Sequence, residues 1–153
     1  ESVAMHLNGY GGGRLSALLA GTLRMPGLCM VREGYSNVRV DLTIESESIN
    51  APRRRLAEAK IYSGPSYHTQ AIVQLVSRYS TGRQSRGYVV EYVKKPGISD
   101  IVVKLRTIAD ETLPVFQHGI TKEHSMKWAY ESSHKHASEE LIHVVHINVN
   151  IHR

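Results

Sequence analysis

Three charged side chains in the first half of the chain have types and spacing suited to chemistry on a phosphate. Asp41 lies in a run of alternating apolar residues, and Glu58 and Lys60 follow seventeen residues later, separated by one residue. Aspartate is disfavoured in strands, so its position inside one indicates a special role. Two neighbouring carboxylates favour a hard cation such as Mg²⁺ or Mn²⁺, and an adjacent ammonium can orient an attacking water.

The elements that must position these residues are two strands. Residues 38–45 alternate between apolar and polar side chains, and residues 56–62 form a second strand candidate. Side chains two residues apart in a strand share a face, so Glu58 and Lys60 project from the same face. The polar segment 47–55 is interpreted as a loop that closes a hairpin. If the two strands pair across this loop, the two carboxylates lie side by side.

The rest of the chain predicts helices and strands around one sheet. Ser66 and Ser99 are each expected to cap a helix because a serine hydroxyl can accept a hydrogen bond from a helix N-terminus. The remaining predicted elements are helices over residues 14–23 and 121–131 and strands over residues 88–93 and 141–151. The expected fold class is therefore α/β (α+β): a single domain over residues 1–153, with one mixed central sheet flanked by helices.

This combination resembles the PD-(D/E)XK nuclease superfamily, which has the restriction-endonuclease fold. The resemblance rests on Asp41 in one strand, Glu58-Ala59-Lys60 in the next, and a glutamine-bearing helix followed by a strand. It covers roughly residues 14–93. The sequence departs from the family pattern at Val40, where proline is common, and in the first predicted helix, which lacks the glutamate that many members carry.

The resemblance implies a metal site and an activity. Asp41 and Glu58 would bind Mg²⁺ or Mn²⁺ together with the main-chain carbonyl of Ala59, Lys60 would be the catalytic lysine, and Gln74 an auxiliary catalytic residue. The implied activity is that of a Mg²⁺-dependent endonuclease that hydrolyses phosphodiester bonds of DNA. Restriction, anti-phage defence and a toxin effector domain are the contexts expected for such a domain.

The charge of the chain is consistent with a polyanionic partner. The formal net charge is +5, and phosphate contacts by cations release counterions from nucleic acid. Arg53, Arg54, Arg55 and His68 are the residues expected to contact DNA. No apolar run approaches the ~20 residues that span a bilayer, so no membrane partner is expected. The expected location is the cytoplasm, or a target cell if this is a toxin domain; a homodimer and further domains of a larger protein are left open.

Two other classes of function remain open from the residues alone. One is a basic nucleic-acid-binding module without catalysis, in which Glu58 and Lys60 form only a surface pair. The other is a metal-independent RNase that uses two of the nine histidines. Against the RNase, His143 and His146 have opposite parity on the last predicted strand and should face opposite sides of the sheet.

The other histidines are interpreted as surface residues. His134 and His136 lie in a polar stretch and are expected to be solvated loop residues. His68 follows the second strand closely enough to approach a scissile phosphate, and a surface position at the start of a helix is the alternative interpretation.

Overall fold

The computed structural model describes residues 14–15, 17–18, 28–32, 42–46, 53–80 and 85–152. The described strands form one seven-stranded sheet in the order β1-β2-β3-β4-β7-β6-β5. Their bounds are β1 Leu28–Arg32, β2 Leu42–Ser46, β3 Arg53–Ile61, β4 Arg86–Val93, β5 Lys122–Glu123, β6 Ala129–Lys135 and β7 Leu141–Asn150. Strands β3, β4 and β7 are mutually parallel, and the strands at either side of this trio pair antiparallel. The sheet is therefore mixed, as the sequence predicts.

Two helices follow the parallel strands. Helix α1 spans Pro65–Val73 and continues as a π-helical turn over Gln74–Tyr79. Helix α2 spans Ile98–Thr112. Parallel strands need a crossover connection, and α1 with its π-helical turn provides the one between β3 and β4. Arg14, Leu15, Ala17 and Leu18 are also helical, in agreement with the first predicted helix.

The predicted caps of the two helices are wrong. Helix α1 has Gly64 at its N-cap and begins at Pro65, and helix α2 has Gly97 at its N-cap with a φ of 75°. Neither N-cap makes a side-chain hydrogen bond, so Ser66 and Ser99 do not act as caps. Proline suits the first helical position because its φ is already helical and its missing N–H has no partner there.

The sheet has apolar layers on both faces. On the face that carries Glu58, Leu56 and Val89 pack against Ile72 and Leu75 of the crossover. This face is called the helix face below. On the opposite face Leu15 belongs to a cluster with alternate residues of the central strands: Ala57, Ala59, Val90 and Tyr92. The helix face also receives α2, whose buried residues Val102 and Leu105 pack with Tyr130.

Two parts of the sequence prediction are wrong in their secondary structure. The helix predicted over residues 121–131 is replaced by β5 and the start of β6, which pairs with β7 over seven residue positions. The segment 47–55 was predicted as a loop, yet Arg53, Arg54 and Arg55 lie in β3 and pair with β2. Backbone pairing in the sheet therefore extends through the arginines. Strand β1 is an element that the sequence interpretation did not include.

Within the described residues, no helix is both long and apolar enough to cross a membrane.

Candidate functional site

Glu58 and Lys60 form a close pair on the helix face of β3. Lys60 Nζ lies 2.6 Å from Glu58 Oε1, as the alternation of strand side chains predicts. Glu58 is 1% exposed, whereas the Lys60 side chain is 17% exposed. The Lys60 ammonium also lies 5.6 Å from the ring centroid of Tyr67 in helix α1. Tyr67 is 36% exposed. The buried carboxylate therefore contacts a partly exposed ammonium, which in turn lies beside an exposed tyrosine.

Asp41 lies outside the described residues, as does Val40. The antiparallel register next to it is described, and it places Leu42 opposite Ala57 and Thr43 opposite Leu56. The prediction that Asp41 lies beside Glu58 requires this register to continue by one residue. Ala59 lies between Glu58 and Lys60 on β3, and its side chain packs on the opposite face of the sheet.

A second buried carboxylate lies next to this pair on the helix face. Glu91 of β4 is the Cα partner of Lys60 and is fully buried. His68 Nδ1 lies 3.1 Å from Glu91 Oε1, which is within ion-pair distance, but the angles do not form an aligned hydrogen bond. The sequence interpretation missed Glu91. Its signal was available, since glutamate is depleted in strands and Glu91 lies inside the apolar run of β4.

A chain of polar side chains runs inward from Glu91 across the helix face. His68 Nε2 lies 2.9 Å from the hydroxyl of Tyr130. The Tyr130 ring stacks on His146, whose Nε2 lies 2.7 Å from Ser132 Oγ. Ser132 Oγ lies 2.7 Å from His134 Nε2 as well. These six residues are called the buried polar chain below: Glu91, His68, Tyr130, His146, Ser132 and His134.

Hydrogen-bond chemistry fixes the tautomers at the inner end of this chain. His134 Nδ1 lies 3.1 Å from the carbonyl oxygen of Val115, which can only accept, so Nδ1 carries the hydrogen. The Nε2 atom of neutral His134 then accepts the hydroxyl hydrogen of Ser132. Ser132 has no second hydrogen, so it accepts one from His146 Nε2. His146 Nδ1 is left as a buried acceptor without a hydrogen-bond partner among the described residues.

Burial keeps these rings neutral. It lowers the pKa of His146 well below its usual value, with His68 and His134 adding to the effect. Burial also lowers the pKa of His134, against the opposing effect of hydrogen bonds to backbone carbonyls. The pKa of the Tyr130 hydroxyl is raised well above its usual value by burial and by the charge of Glu91. In each of these groups burial withholds the hydration that the charged form would have in water, and the neighbouring groups do not fully compensate for it.

The structure corrects the predicted positions of two histidines. His134 was expected to be a solvated loop residue, but it is fully buried in β6. His68 was expected at the surface or near a phosphate, but it is 3% exposed. A substrate cannot contact either ring in this conformation. His143 and His146 do face opposite sides of the sheet, since one is exposed beside Ser133 and the other is buried beside Ser132.

The remaining predicted site residues lie in β3 and in the π-helical turn. Gln74 begins the π-helical turn, and its side-chain oxygen is buried without a hydrogen-bond partner in the described part of the chain. Arg55 lies in β3 and is partly buried rather than in an exposed loop. Among the described residues, no three histidine, cysteine, aspartate or glutamate side chains converge as metal ligands. Glu58 and the Ala59 carbonyl are hard oxygen donors of the kind that Mg²⁺ prefers.

Comparison of the chain with family models, with curated proteins and with solved structures finds no match.

Proposed function

We propose that the protein is a metal-dependent endonuclease that hydrolyses phosphodiester bonds of DNA. The observation that carries the proposal is the Glu58–Lys60 pair, 2.6 Å apart on one face of β3. Its setting adds support, because an antiparallel strand precedes β3 and a helix followed by a parallel strand comes after it. This is the order of elements that the resemblance to PD-(D/E)XK nucleases implies.

In the proposed mechanism Asp41, Glu58 and the carbonyl of Ala59 hold Mg²⁺ or Mn²⁺. The ion would supply Lewis-acid activation of the phosphate and a water of lowered pKa. Lys60 would move from its contact with Glu58 to the attacking water or to the phosphate oxygens, where its positive charge stabilises the transition state. The partial exposure of Lys60 beside Tyr67 supports this role, since DNA must approach from that side. Gln74 and the arginines of β3 remain proposed auxiliary and DNA-contacting residues.

The competing function is a basic nucleic-acid-binding module without catalysis. The same contact that carries the nuclease proposal favours it, since Glu58 and Lys60 also satisfy each other as a structural ion pair. The two functions differ in their metal requirement. A binding module retains its DNA affinity and shows no cleavage in Mg²⁺, whatever residue stands at position 41.

The deciding experiment is incubation of the full chain with supercoiled plasmid in Mg²⁺, in Mn²⁺ and in EDTA. We expect nicking in either metal, none in EDTA, and a loss of at least about 100-fold in rate for Lys60→Ala and Asp41→Ala. Lys104→Ala removes an exposed lysine from helix α2 and is the matched control, with an unchanged rate. Cleavage by the wild type that persists in EDTA, or variants that all cleave equally well, would overturn the proposal.

A further inference from the structure

A second group of basic side chains lies on the sheet face opposite Glu58 and Lys60. A groove of about 570 Å³ opens there across the strands β4, β7, β6 and β5. It is called the Arg86 groove below, after the arginine at the start of β4. The lining residues used in the argument are Arg86, His118, Ile120, Lys122, Ser133 and His143.

The sheet register places the donors of the groove side by side. Arg86 of β4 and His143 of β7 are Cα partners, and His143 is in turn the partner of Ser133 in β6. Directly paired residues share a face of the sheet. Gly87 is the Cα partner of Leu56, which lies on the same face as Glu58. Arg86, the neighbour of Gly87 along β4, therefore lies on the opposite face. The groove therefore faces away from the proposed nuclease site.

The imidazole ring of His143 and the backbones of the other donors are held in place by contacts within the protein. His143 Nδ1 lies 2.9 Å from Ser133 Oγ, which orients the imidazole ring. The backbone N–H of His118 donates to the carbonyl of Ser133 at 2.7 Å and holds that residue against β6. Lys122 is held in β5 by its pairing with Glu131. A donor such as His143, whose ring is already oriented, loses less entropy on binding a ligand than a free side chain does.

The charge balance of the groove is positive. Arg86 is exposed and has no acidic side chain within ion-pair distance among the residues the structure describes. Glu131 also lines the groove and is the cross-strand partner of Lys122, so it offsets one of the two positive charges of Arg86 and Lys122 and leaves a net positive charge. An arginine presents several donors in a planar fork that matches two phosphate oxygens. The chemistry of the groove therefore suits a phosphate group.

Exposed aliphatic side chains beside the donors suit an organic phosphate rather than the inorganic ion. Ile120 is 71% exposed and Leu141 is 39% exposed at the rim of the groove. The backbone next to Ile120 is tied down, because the N–H of Thr121 donates to Asp110 at 2.6 Å. The hydrogen bond of the next residue therefore restrains the backbone at Ile120, whose side chain is exposed to solvent. A base or sugar that covered it would remove apolar surface from water.

We propose that the Arg86 groove binds the phosphate ester of a nucleotide, either free or as one unit of a polynucleotide. The phosphate contacts Arg86, His143 and Lys122, and the nucleoside rests against Ile120. This site is separate from the proposed nuclease centre and does not require cleavage.

The test measures binding to the full chain in EDTA, so that any cleavage is suppressed. The probes are adenosine monophosphate, adenosine, and a fluorescein-labelled single-stranded oligodeoxynucleotide. We expect Arg86→Gln to weaken the binding of a phosphate-bearing probe about tenfold, the effect of losing one charge-assisted contact. Lys122→Gln should weaken it further, and the exposed Lys104→Gln on helix α2 should change it less than twofold.

The two sources of phosphate give different results. A free-nucleotide site binds adenosine monophosphate saturably and much more tightly than adenosine. A polynucleotide site binds the oligonucleotide alone, and each lost phosphate contact lowers the slope of log K against log salt by about 0.7. Equal losses in the Arg86 and Lys104 variants, or no saturable binding of either phosphate-bearing probe, would overturn the proposal.

Two controls keep the outcome interpretable. Arg86→Lys retains the positive charge but lacks the planar guanidinium, and it should bind with intermediate affinity. Ile120→Ser alters no charge and should weaken the binding of adenosine monophosphate, because the nucleoside is proposed to rest on Ile120. If the protein does not cleave DNA but binds the probes through Arg86, the nuclease proposal is wrong and the groove proposal stands. If the protein cleaves DNA and its probe binding does not depend on Arg86, the groove proposal is wrong and the nuclease proposal stands.

Discussion

The ring of His146 lies flat against the ring of Tyr130, with 7° between the planes and 4.2 Å between the centroids. Both residues are buried, and His146 is joined through Ser132 to His134. The region that would ordinarily be an aliphatic core between β6, β7 and the helices thus contains hydrogen-bonded imidazoles. Because burial lowers the pKa of both imidazoles, their protonation is coupled to unfolding.

We expect the free energy of unfolding to fall as the solution becomes acidic. Histidines of the unfolded chain take up protons near pH ~6.5, whereas folded His134 and His146, with lowered pKa values, do not. Their contribution to stability is fully present above the unfolded pKa and is lost as the pH falls toward the folded values. Urea denaturation at about pH 7.5 and at about pH 5 measures the difference.

A variant assigns this acid sensitivity to the buried ring. His146→Phe keeps the stacking surface against Tyr130 and leaves the Ser132 hydroxyl able to donate to His134. It should show a shallower loss of stability between the two pH values than the wild type. His152→Asn, at an exposed histidine, should retain the wild-type slope. A His146→Phe slope equal to that of the wild type would mean that other groups cause the acid sensitivity.

A close backbone approach at Gly87 makes a packing prediction. A Cβ added there would lie 2.9 Å from Cδ2 and 3.2 Å from Cγ of Leu75, which is 1% exposed. Gly87→Ala should therefore cost about 1–3 kcal/mol of stability, because a buried leucine has little room to move. The double variant Gly87→Ala with Leu75→Ala should cost less than the sum of the two single changes.

Gly119 provides the contrast for this prediction. Its φ is 75° and an added Cβ would meet nothing within 4 Å. Gly119→Ala should therefore be destabilised only by the left-handed backbone conformation and not by a steric clash. We expect a loss of about 1–2 kcal/mol there, with no energetic coupling to Leu75→Ala. Thermal denaturation of the five variants and the wild type gives both coupling energies. Coupling at Gly119 as strong as at Gly87 would contradict the packing explanation.

Asp110 holds the segment that follows helix α2. Its carboxylate accepts hydrogen bonds from the N–H of Thr121 at 2.6 Å and from the Thr121 hydroxyl at 3.0 Å. We expect Asp110→Ala to lower the free energy of unfolding by about 2 kcal/mol, because the partly buried N–H loses a charged partner. Glu111→Ala, at an exposed neighbour on the same helix, is the control and should change stability by less than about 0.5 kcal/mol. Chemical denaturation at neutral pH compares the two.

The parts of the fold that the sequence predicted are those with an aliphatic stripe or a clear alternation. Strands β4 and β7 meet that condition and lie close to their predicted bounds, and helix α1 begins next to the serine predicted to cap it. Strand β6 was missed because its buried face carries Tyr130, Ser132 and His134 instead of aliphatic residues. Those side chains are buried because they hydrogen-bond with one another and with the imidazoles of α1 and β7. No hydrophobicity pattern along one segment reveals such pairing.

The candidate site was predictable only in its local part. The two-residue spacing places Glu58 and Lys60 on one face of β3, and the structure brings their charges together. The contribution of His68 and Glu91 depends on the parallel register of β3 with β4 and on the packing of α1 over both strands. Residues so distant in sequence meet only through tertiary structure, so spacing alone could not connect them.

The Glu58–Lys60 contact predicts how stability should depend on metal. Lys60→Ala leaves a carboxylate that is 1% exposed without its neighbouring ammonium, which should cost about 3 kcal/mol in EDTA. Glu58→Gln with Lys60→Met removes both charges and should be more stable in EDTA than Lys60→Ala. If Glu58 binds Mg²⁺, saturating metal should restore much of the stability of Lys60→Ala, by about 2.7 kcal/mol at a hundredfold excess over Kd. It should leave the double variant unchanged. Thermal denaturation of both variants in EDTA and in Mg²⁺ provides the comparison. If the melting temperature of Lys60→Ala is the same with and without Mg²⁺, the ion does not bind at Glu58.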